Sequence, residues 1–217
     1  VKAVIFDFDG LVVDTETPAF SAWSEIYQEF GAELLLSDWV QCVGSGYGRF
    51  DPVKNLEEIT GMSLQGEELI FKKERIKSGI CLNQPLLPGV KNIILDASSL
   101  NLPISIASSS PRSWIDLHAD RTGILPFVSV ICTREDVDKI KPAPDLYLLA
   151  AERLQISPND CVVFEDSQNG VTAALAAGMR VVAIPNSITK GSDFSAAHLV
   201  VESATDCNLC DIKKMFW

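Results

Sequence analysis

Apolar residues fall in short runs separated by polar, glycine- or proline-bearing segments. AVIF (3–6), ISIA (104–107), VSVI (128–131), CVVF (161–164) and VVAI (181–184) are rich in Val and Ile and bounded by Gly, Pro, Asp or Ser. That is the pattern of strands buried on both faces of a parallel sheet. LVV at 199–201 is a weaker run of the same kind. Between the later runs the period becomes helical. Residues 144–155 open with Pro144 in the first turn and put Leu146, Leu149, Ala150 and Leu154 on one stripe. Residues 168–178 are alanine-rich and stop at Gly178. A further helix is predicted from about Pro111. Alternating strands and helices predict an α/β fold, a Rossmann-like parallel sheet flanked by helices and joined by right-handed crossovers.

One stretch breaks the alternation. From Thr15 to Leu87 no run reads as a strand. Thr17 is placed to cap a helix starting at Pro18, with Phe20, Trp23, Ile26, Tyr27 and Phe30 along one side and Gly31 as its stop. Helical segments follow near 37–43, 52–60 and 65–78. The expected organisation is an α/β core of residues 1–14 and 88–217, interrupted after its first strand by an all-helical cap at 15–87.

Composition narrows the function. The chain has 217 residues, 47% hydrophobic and 22% charged, as expected of a globular protein with a proper core. Lys+Arg 18 against Asp+Glu 29 gives a net charge of −11, which repels phosphate backbones and anionic lipid, so neither nucleic acid nor a membrane is an expected partner. No apolar run approaches the roughly 18 residues of a span. VKAVIFDFDG, broken by two aspartates, is not the pattern of a signal peptide. Of the six cysteines, Cys132 and Cys161 lie in apolar runs, and Cys207-Asn-Leu-Cys210 lacks the second ligand pair a zinc site needs. A reduced, cytoplasmic, monomeric protein is expected.

Open α/β sheets place ligands at the carboxyl ends of their strands. The first run delivers Asp7-Phe8-Asp9-Gly10, where alternation turns both aspartates one way and Phe6 and Phe8 into the packing. ISIA delivers Ser108, Ser109 and Ser110 just ahead of a helix, where hydroxyls and free N–H groups hold phosphate. After VSVI comes Lys141 in Lys-Pro-Ala-Pro-Asp, and CVVF ends in Glu165-Asp166-Ser167. Each piece alone has an ordinary explanation as a turn, a cap or a surface lysine. Together they bring several carboxylates against a single lysine, and each like-charge pair near 4 Å costs roughly 4 kcal/mol at an effective dielectric of 20. A hard dication with oxygen ligands, Mg²⁺ by preference, relieves that charge.

These four pieces resemble the motifs of the haloacid dehalogenase superfamily of phosphohydrolases, and the chain is similar over essentially its whole length to the β-phosphoglucomutase-like branch, whose helical cap follows the first motif. The resemblance implies a phosphatase acting on a small phosphorylated metabolite. Asp7 is then the nucleophile that forms an aspartyl-phosphate, and Asp9 the general acid and later the base. Ser108 donates to a phosphoryl oxygen, and Lys141 neutralises charge. Mg²⁺ is held by Asp7, the carbonyl of Asp9 and Asp166, with Glu165 in or near its shell. A sugar-phosphate mutase is the alternative, but mutases of the branch carry a histidine where Ala19 stands. Dehalogenases of the superfamily lack the carboxylate of Asp9 and use no metal. A phospho-accepting receiver would place its aspartate on a middle strand and need no helical insert. A binding protein without catalysis is the remaining reading.

Cap residues are expected to set specificity. Arg49, in the loop Gly44-Ser45-Gly46-Tyr47-Gly48-Arg49, is a candidate substrate contact, and Arg112 a candidate for a second anionic group beside Ser110. Thr15, with Asp14 and Glu16, lies at the hinge into the cap. The basic run Lys72-Lys73-Glu74-Arg75-Ile76-Lys77 reads as a solvated helix face.

Overall fold

The computed structural model describes residues 1–44 and 50–216. Six parallel strands form one sheet: β1 (Ala3–Phe6), β2 (Ile104–Ala107), β3 (Val128–Cys132), β4 (Cys161–Glu165), β5 (Arg180–Ala183) and β6 (Leu199–Val200), in the order β3-β2-β1-β4-β5-β6. The chain runs outward from β1 through β2 to β3, then returns to start β4 on the other side of β1. That reversal opens a crevice at the carboxyl ends of β1 and β4. Register sharpens the point: Phe6 pairs with Phe164, their rings stacked at 5.2 Å, so Asp7 emerges beside Glu165.

Strand alternation sends side chains to two layers. Val4, Phe6 and Phe8 pack on α5 (Val90–Ser99), α6 (Arg112–Arg121) and α9 (Leu209–Phe216) through Ile93, Ile94, Ile115, Leu209 and Ile212. Ala3, Ile5, Val163 and Val181 pack on α7 (Asp145–Leu154) and α8 (Gln168–Ala176). A third cluster belongs to the helical insert: Trp23, Ile26 and Tyr27 of α1 (Glu16–Glu29) meet Trp39 of α2 (Leu36–Trp39) and Leu56 of α3 (Pro52–Thr60). The last helix of the insert, α4 (Gly66–Cys81), packs along α1. The two connections between insert and sheet run side by side, with Val13 bridged to Leu86 and the Leu87 N–H on the Val12 carbonyl at 2.9 Å.

The parallel α/β fold is the expected one, and four local expectations change. Two of the six runs are not buried on both faces. VSVI is an edge strand whose first half is half-exposed, and β6 is two residues at the opposite edge. Thr17 does not cap the first helix: α1 begins at Glu16, Asp14 accepts the Thr17 N–H at 3.0 Å, and the Thr17 hydroxyl meets Ser187. The segment near 37–43 is a short helix at Leu36–Trp39. Helices α5 and α9 form where none was predicted, α5 on an apolar stripe of Val90, Ile93, Ile94 and Ala97.

Candidate active site

Asp7 follows β1 directly and is 6% exposed; its backbone N–H donates to Phe164 O at 3.0 Å, tying it to β4. Lys141, 1% exposed, reaches in from the loop before α7 and donates to both Asp7 Oδ1 and Glu165 Oε1, the latter at 2.7 Å. Glu165 is saturated by donors. Oε1 also accepts from the Tyr147 hydroxyl at 2.7 Å, while Oε2 accepts from Asp166 N, Ser167 N and Ser167 Oγ at 2.9, 3.0 and 3.0 Å. Gly170 is needed for this arrangement, because a Cβ there would collide with the Glu165 carboxylate. Asp166 is held by Asn186, whose Nδ2 donates to Asp166 Oδ2 at 2.7 Å and to Gly10 O at 3.1 Å. Gly10 itself has φ +79 and faces Asp166 and Asn186 with no room for a side chain.

Asp9 lies on the other side of the crevice in different surroundings. Thr15 Oγ1 and Trp114 Nε1 donate to Oδ1 at 2.8 and 2.9 Å, and Ser108 Oγ and Ser110 Oγ to Oδ2 at 3.2 and 2.6 Å. Ser109 instead donates to the Gly44 carbonyl at 3.0 Å.

The charges follow these contacts. Burial pushes the Asp7 carboxyl up to about 8, with the Glu165 charge adding to it and Lys141 opposing. Asp166 is raised as well, by burial and then by the neighbouring carboxylates of Glu165, Asp7 and Glu16. Burial works against the charge of Lys141, yet Asp7 and Glu165 together hold its pKa above the ordinary value. Burial would raise Asp9 too, but the charge of Lys77 and the bonds from Ser110, Thr15 and Trp114 bring it below the usual range.

Asp7, Glu165 and Asp166 each offer an oxygen within 4.8 Å of the other two, and among the described residues they are the one such cluster of potential metal ligands. An all-oxygen, under-compensated set of this kind fits a hard dication. Both oxygens of Glu165 already serve protein donors, so its evident task is to anchor Lys141 and the first turn of α8.

Asp7 and Asp9 face a cavity of about 430 Å³ between sheet and insert, which Ser108, Ser109 and Ser110 also line. The insert contributes Glu16, Lys73 and Lys77. Lys73 is 5% exposed, so the basic run is not wholly the solvated face expected: Lys72 pairs outward with Glu29 while Lys73 and Lys77, one turn apart on α4, face the site. Thr15 reaches the site through Asp9. The Arg112 guanidinium, by contrast, pairs with Asp116 at 2.7 Å on the exposed face of α6, and Arg112 does not line the cavity. Arg49 lies outside the described residues. Sequence reasoning also passed over Trp114, Tyr147 and Asn186. For Asn186 there was a signal, since it stands one residue beyond VVAI, after Pro185, at the carboxyl end of that run. A larger cavity of about 720 Å³ lies beyond Gly10, lined mainly by apolar groups such as Leu11, Leu87, Ile184 and Val201, and none of the site carboxylates borders it.

Comparison with known proteins agrees with this geometry. A family model described as haloacid dehalogenase-like hydrolase matches residues 1–178. Bacillus subtilis YhcW, whose name assigns it provisionally to the phosphatases, is 43% identical over 190 residues, covering 87% of this chain and 86% of YhcW. Escherichia coli fructose-1-phosphate phosphatase YqaB is 29% identical over 180 residues, covering 82% of this chain and 94% of YqaB. The crystal structure of Clostridium difficile β-phosphoglucomutase superposes with a TM-score of 0.81 at 23% identity, covering 100% of this chain and 97% of that one, a likeness of fold. The protein is thus a hydrolase built on a parallel sheet flanked by helices, with the candidate site at the sheet's switch point. It belongs to the haloacid dehalogenase-like hydrolases.

Proposed function

We propose that this phosphoric monoester hydrolase is a Mg²⁺-dependent phosphatase of small phosphorylated metabolites, working through an aspartyl-phosphate on Asp7, with residues 15–87 as the cap that selects the substrate. The observation that carries the reading is the contrast between two carboxylates on one short segment: Asp7 buried against Lys141, Asp9 wrapped in donors at the mouth of the same cavity.

In the first step an oxygen of Asp7 bonds to phosphorus as the ester oxygen leaves, and Asp9 gives that alkoxide its proton. In the second, Asp9 takes a proton from water, whose oxygen bonds to phosphorus as the bond to Asp7 breaks; inorganic phosphate departs and Asp7 is restored. Lys141 holds the Asp7 oxygen in place and offsets its charge. Ser108 supplies a donor for a phosphoryl oxygen, and Ser109 and Ser110 border the same space. Asp7 and Asp166, with the Asp9 carbonyl, are the groups that would hold the ion, and Glu165 backs them. When bound, such an ion adds positive charge beside the nucleophile and the phosphoryl group. The site also resembles that of a mutase, but Ala19 lines the cavity at the place where mutases of the branch carry histidine, and this favours release of phosphate to water.

The test is a panel of phosphorylated metabolites assayed for phosphate release with Mg²⁺ and with a chelator, alongside Asp7→Asn. Metal-dependent release, reduced on the order of 10⁴-fold or more by the substitution, is expected. Interconversion of sugar phosphates without net release would overturn the phosphatase reading, and full activity of Asp7→Asn would overturn the covalent step.

A further inference from the structure

Helix α6 carries Trp114, His118 and Arg121 at spacings of four and three, which puts them on one face. That face meets α4 of the insert. Arg121 donates to the Cys81 and Gln84 carbonyls at 2.8 and 2.6 Å, satisfying groups at the carboxyl end of α4, and its Nε donates to His118 Nδ1 at 2.8 Å. His118 is fully buried and its ring packs on Trp114 at 4.1 Å between centroids. Trp114 closes the series: the Lys77 ammonium of α4 lies 4.4 Å from its ring centroid, while its Nε1–H donates to Asp9 Oδ1. One indole therefore touches both a cation of the insert and the carboxylate to which acid–base work is assigned.

We propose that Trp114 is a positioning residue that transmits the placement of the insert helix α4 to Asp9, aligning that carboxylate for proton transfer to the leaving group while Lys77 rests on its ring. This rests on the reading of Asp9 as general acid given above. The physical argument concerns direction. Thr15 and Trp114 share Oδ1 while Ser108 and Ser110 share Oδ2, so donors on both oxygens fix the plane of the carboxyl group beside the cavity that Asp9, Trp114 and both serines line. Without the indole donor, Thr15 alone remains on Oδ1 against the two serines on Oδ2, and the carboxyl group loses one of the two bonds that set its tilt on that side. The indole stays in its donating pose because three contacts hold the ring there: Lys77, His118 and the bond to Asp9 itself.

The test exploits leaving-group chemistry. p-Nitrophenyl phosphate releases an oxyanion that needs little protonation, whereas ethyl phosphate releases an alkoxide that depends on an acid. Trp114→Phe keeps the ring and deletes the donor. It should lower kcat for ethyl phosphate by on the order of 10–100-fold and for p-nitrophenyl phosphate by less than about threefold, since a positioned acid contributes roughly 10²–10⁴. Lys77→Met, which takes the cavity-facing cation of α4 off the ring, should shift the ratio of the two kcat values in the same direction by a smaller factor. Equal losses on both esters, or none, in Trp114→Phe would overturn the proposal, as would an unshifted ratio in Lys77→Met. Should Trp114→Phe fail to fold, Trp114→Leu, which also deletes the donor, takes its place under the same outcomes, because the Lys77 charge also acts on Asp9 directly. A wild-type protein inactive on both esters would instead count against the phosphatase reading itself.

Discussion

Asp7 and Asp9 stand two residues apart, yet the protein treats them in opposite ways. Around Asp7 the fold has gathered carboxylates and one buried lysine, and burial drives the Asp7 and Asp166 pKa values upward. Around Asp9 it has gathered hydroxyls, an indole N–H and a nearby lysine charge, and the pKa is driven down. The first region lacks compensation and so calls for a cation. The second is internally satisfied and needs only a partner for its proton. Spacing alone cannot produce this difference, because both residues point into one crevice. The neighbouring strand ends produce it, β4 on one side and the serine-bearing end of β2 on the other.

The most damaging way to break the contrast is to remove the counter-charge of the first region. Lys141→Met leaves Asp7 and Glu165 buried with no cation, and losing one partner of a buried pair costs about 3–5 kcal/mol. Urea unfolding should show that loss, and phosphate release should fall by roughly 10²–10³ or more. Asp166→Asn should show the reverse of an ordinary disruptive substitution. In chelator it removes one of the crowded carboxylates, so its thermal midpoint should exceed that of the wild type. With Mg²⁺ the wild type should gain several degrees and the variant little, because a ligand binding only the folded state stabilises it by mass action. Equal gains would place the ion elsewhere.

A pH experiment separates the two regions by another route. His118, beneath Trp114, is pushed down to about 4 by burial and then by Arg121. Arg121 donates to Nδ1, so the proton of the neutral ring sits on Nε2, which is buried with no partner among the described residues. In the unfolded chain histidine titrates near 6.5, so between about 4 and 6.5 the unfolded state binds more protons. Stability from this group is therefore complete above pH 6.5 and lost as the pH falls toward 4, by up to about 3 kcal/mol at 1.36 kcal/mol per pKa unit. His118→Gln should flatten the acid limb of urea-unfolding stability; an unchanged limb would assign that dependence to other groups.

How much of this was legible in the sequence depended on whether a feature was local. Strand ends are local, so Asp7, Asp9, Ser108, Glu165 and Asp166 could be drawn to one crevice from runs and their termini, while Lys141, in the loop between β3 and α7, entered through its Lys-Pro-Ala-Pro-Asp run. The stripe of α5 was equally local and was passed over between stronger signals. Burial on both faces was not local: VSVI reads like its neighbours and becomes an edge only because the strand order leaves it outermost. Thr17 offered a cap by its type, but the start of α1 is set by Asp14, with Thr15 turned to Asp9. Lys73 and Lys77 lay in a run that looks solvated, and only the packing of α4 on α1 and against α6 turns that side inward. The same holds for Trp114, whose partners come from Asp9 and α4.

The gentlest perturbation tests whether the donors around Asp9 matter individually. Ser110 makes the shortest of the bonds to Asp9, 2.6 Å, and Ser108 the longest, 3.2 Å. A hydrogen bond to a charged group is worth roughly 1.5–3 kcal/mol, but the Asp9 crevice opens on a cavity from which water can replace a lost hydroxyl. Ser110→Ala should therefore cost about 1 kcal/mol, and kcat should drop by about tenfold or less at 1.4 kcal/mol per decade. The sign of the accompanying pH effect is fixed. Removing a donor to the ionised form raises the Asp9 pKa toward its ordinary value, so the acid limb for the step in which Asp9 acts as base moves to higher pH. Ser108→Ala should move that limb less, through the longer bond, while weakening substrate capture more, since Ser108 is the serine assigned to a phosphoryl oxygen. A larger shift of the limb in Ser108→Ala than in Ser110→Ala would mean that the two hydroxyls exchange partners once substrate arrives, and that the donor shell of Asp9 is rebuilt during turnover instead of held fixed.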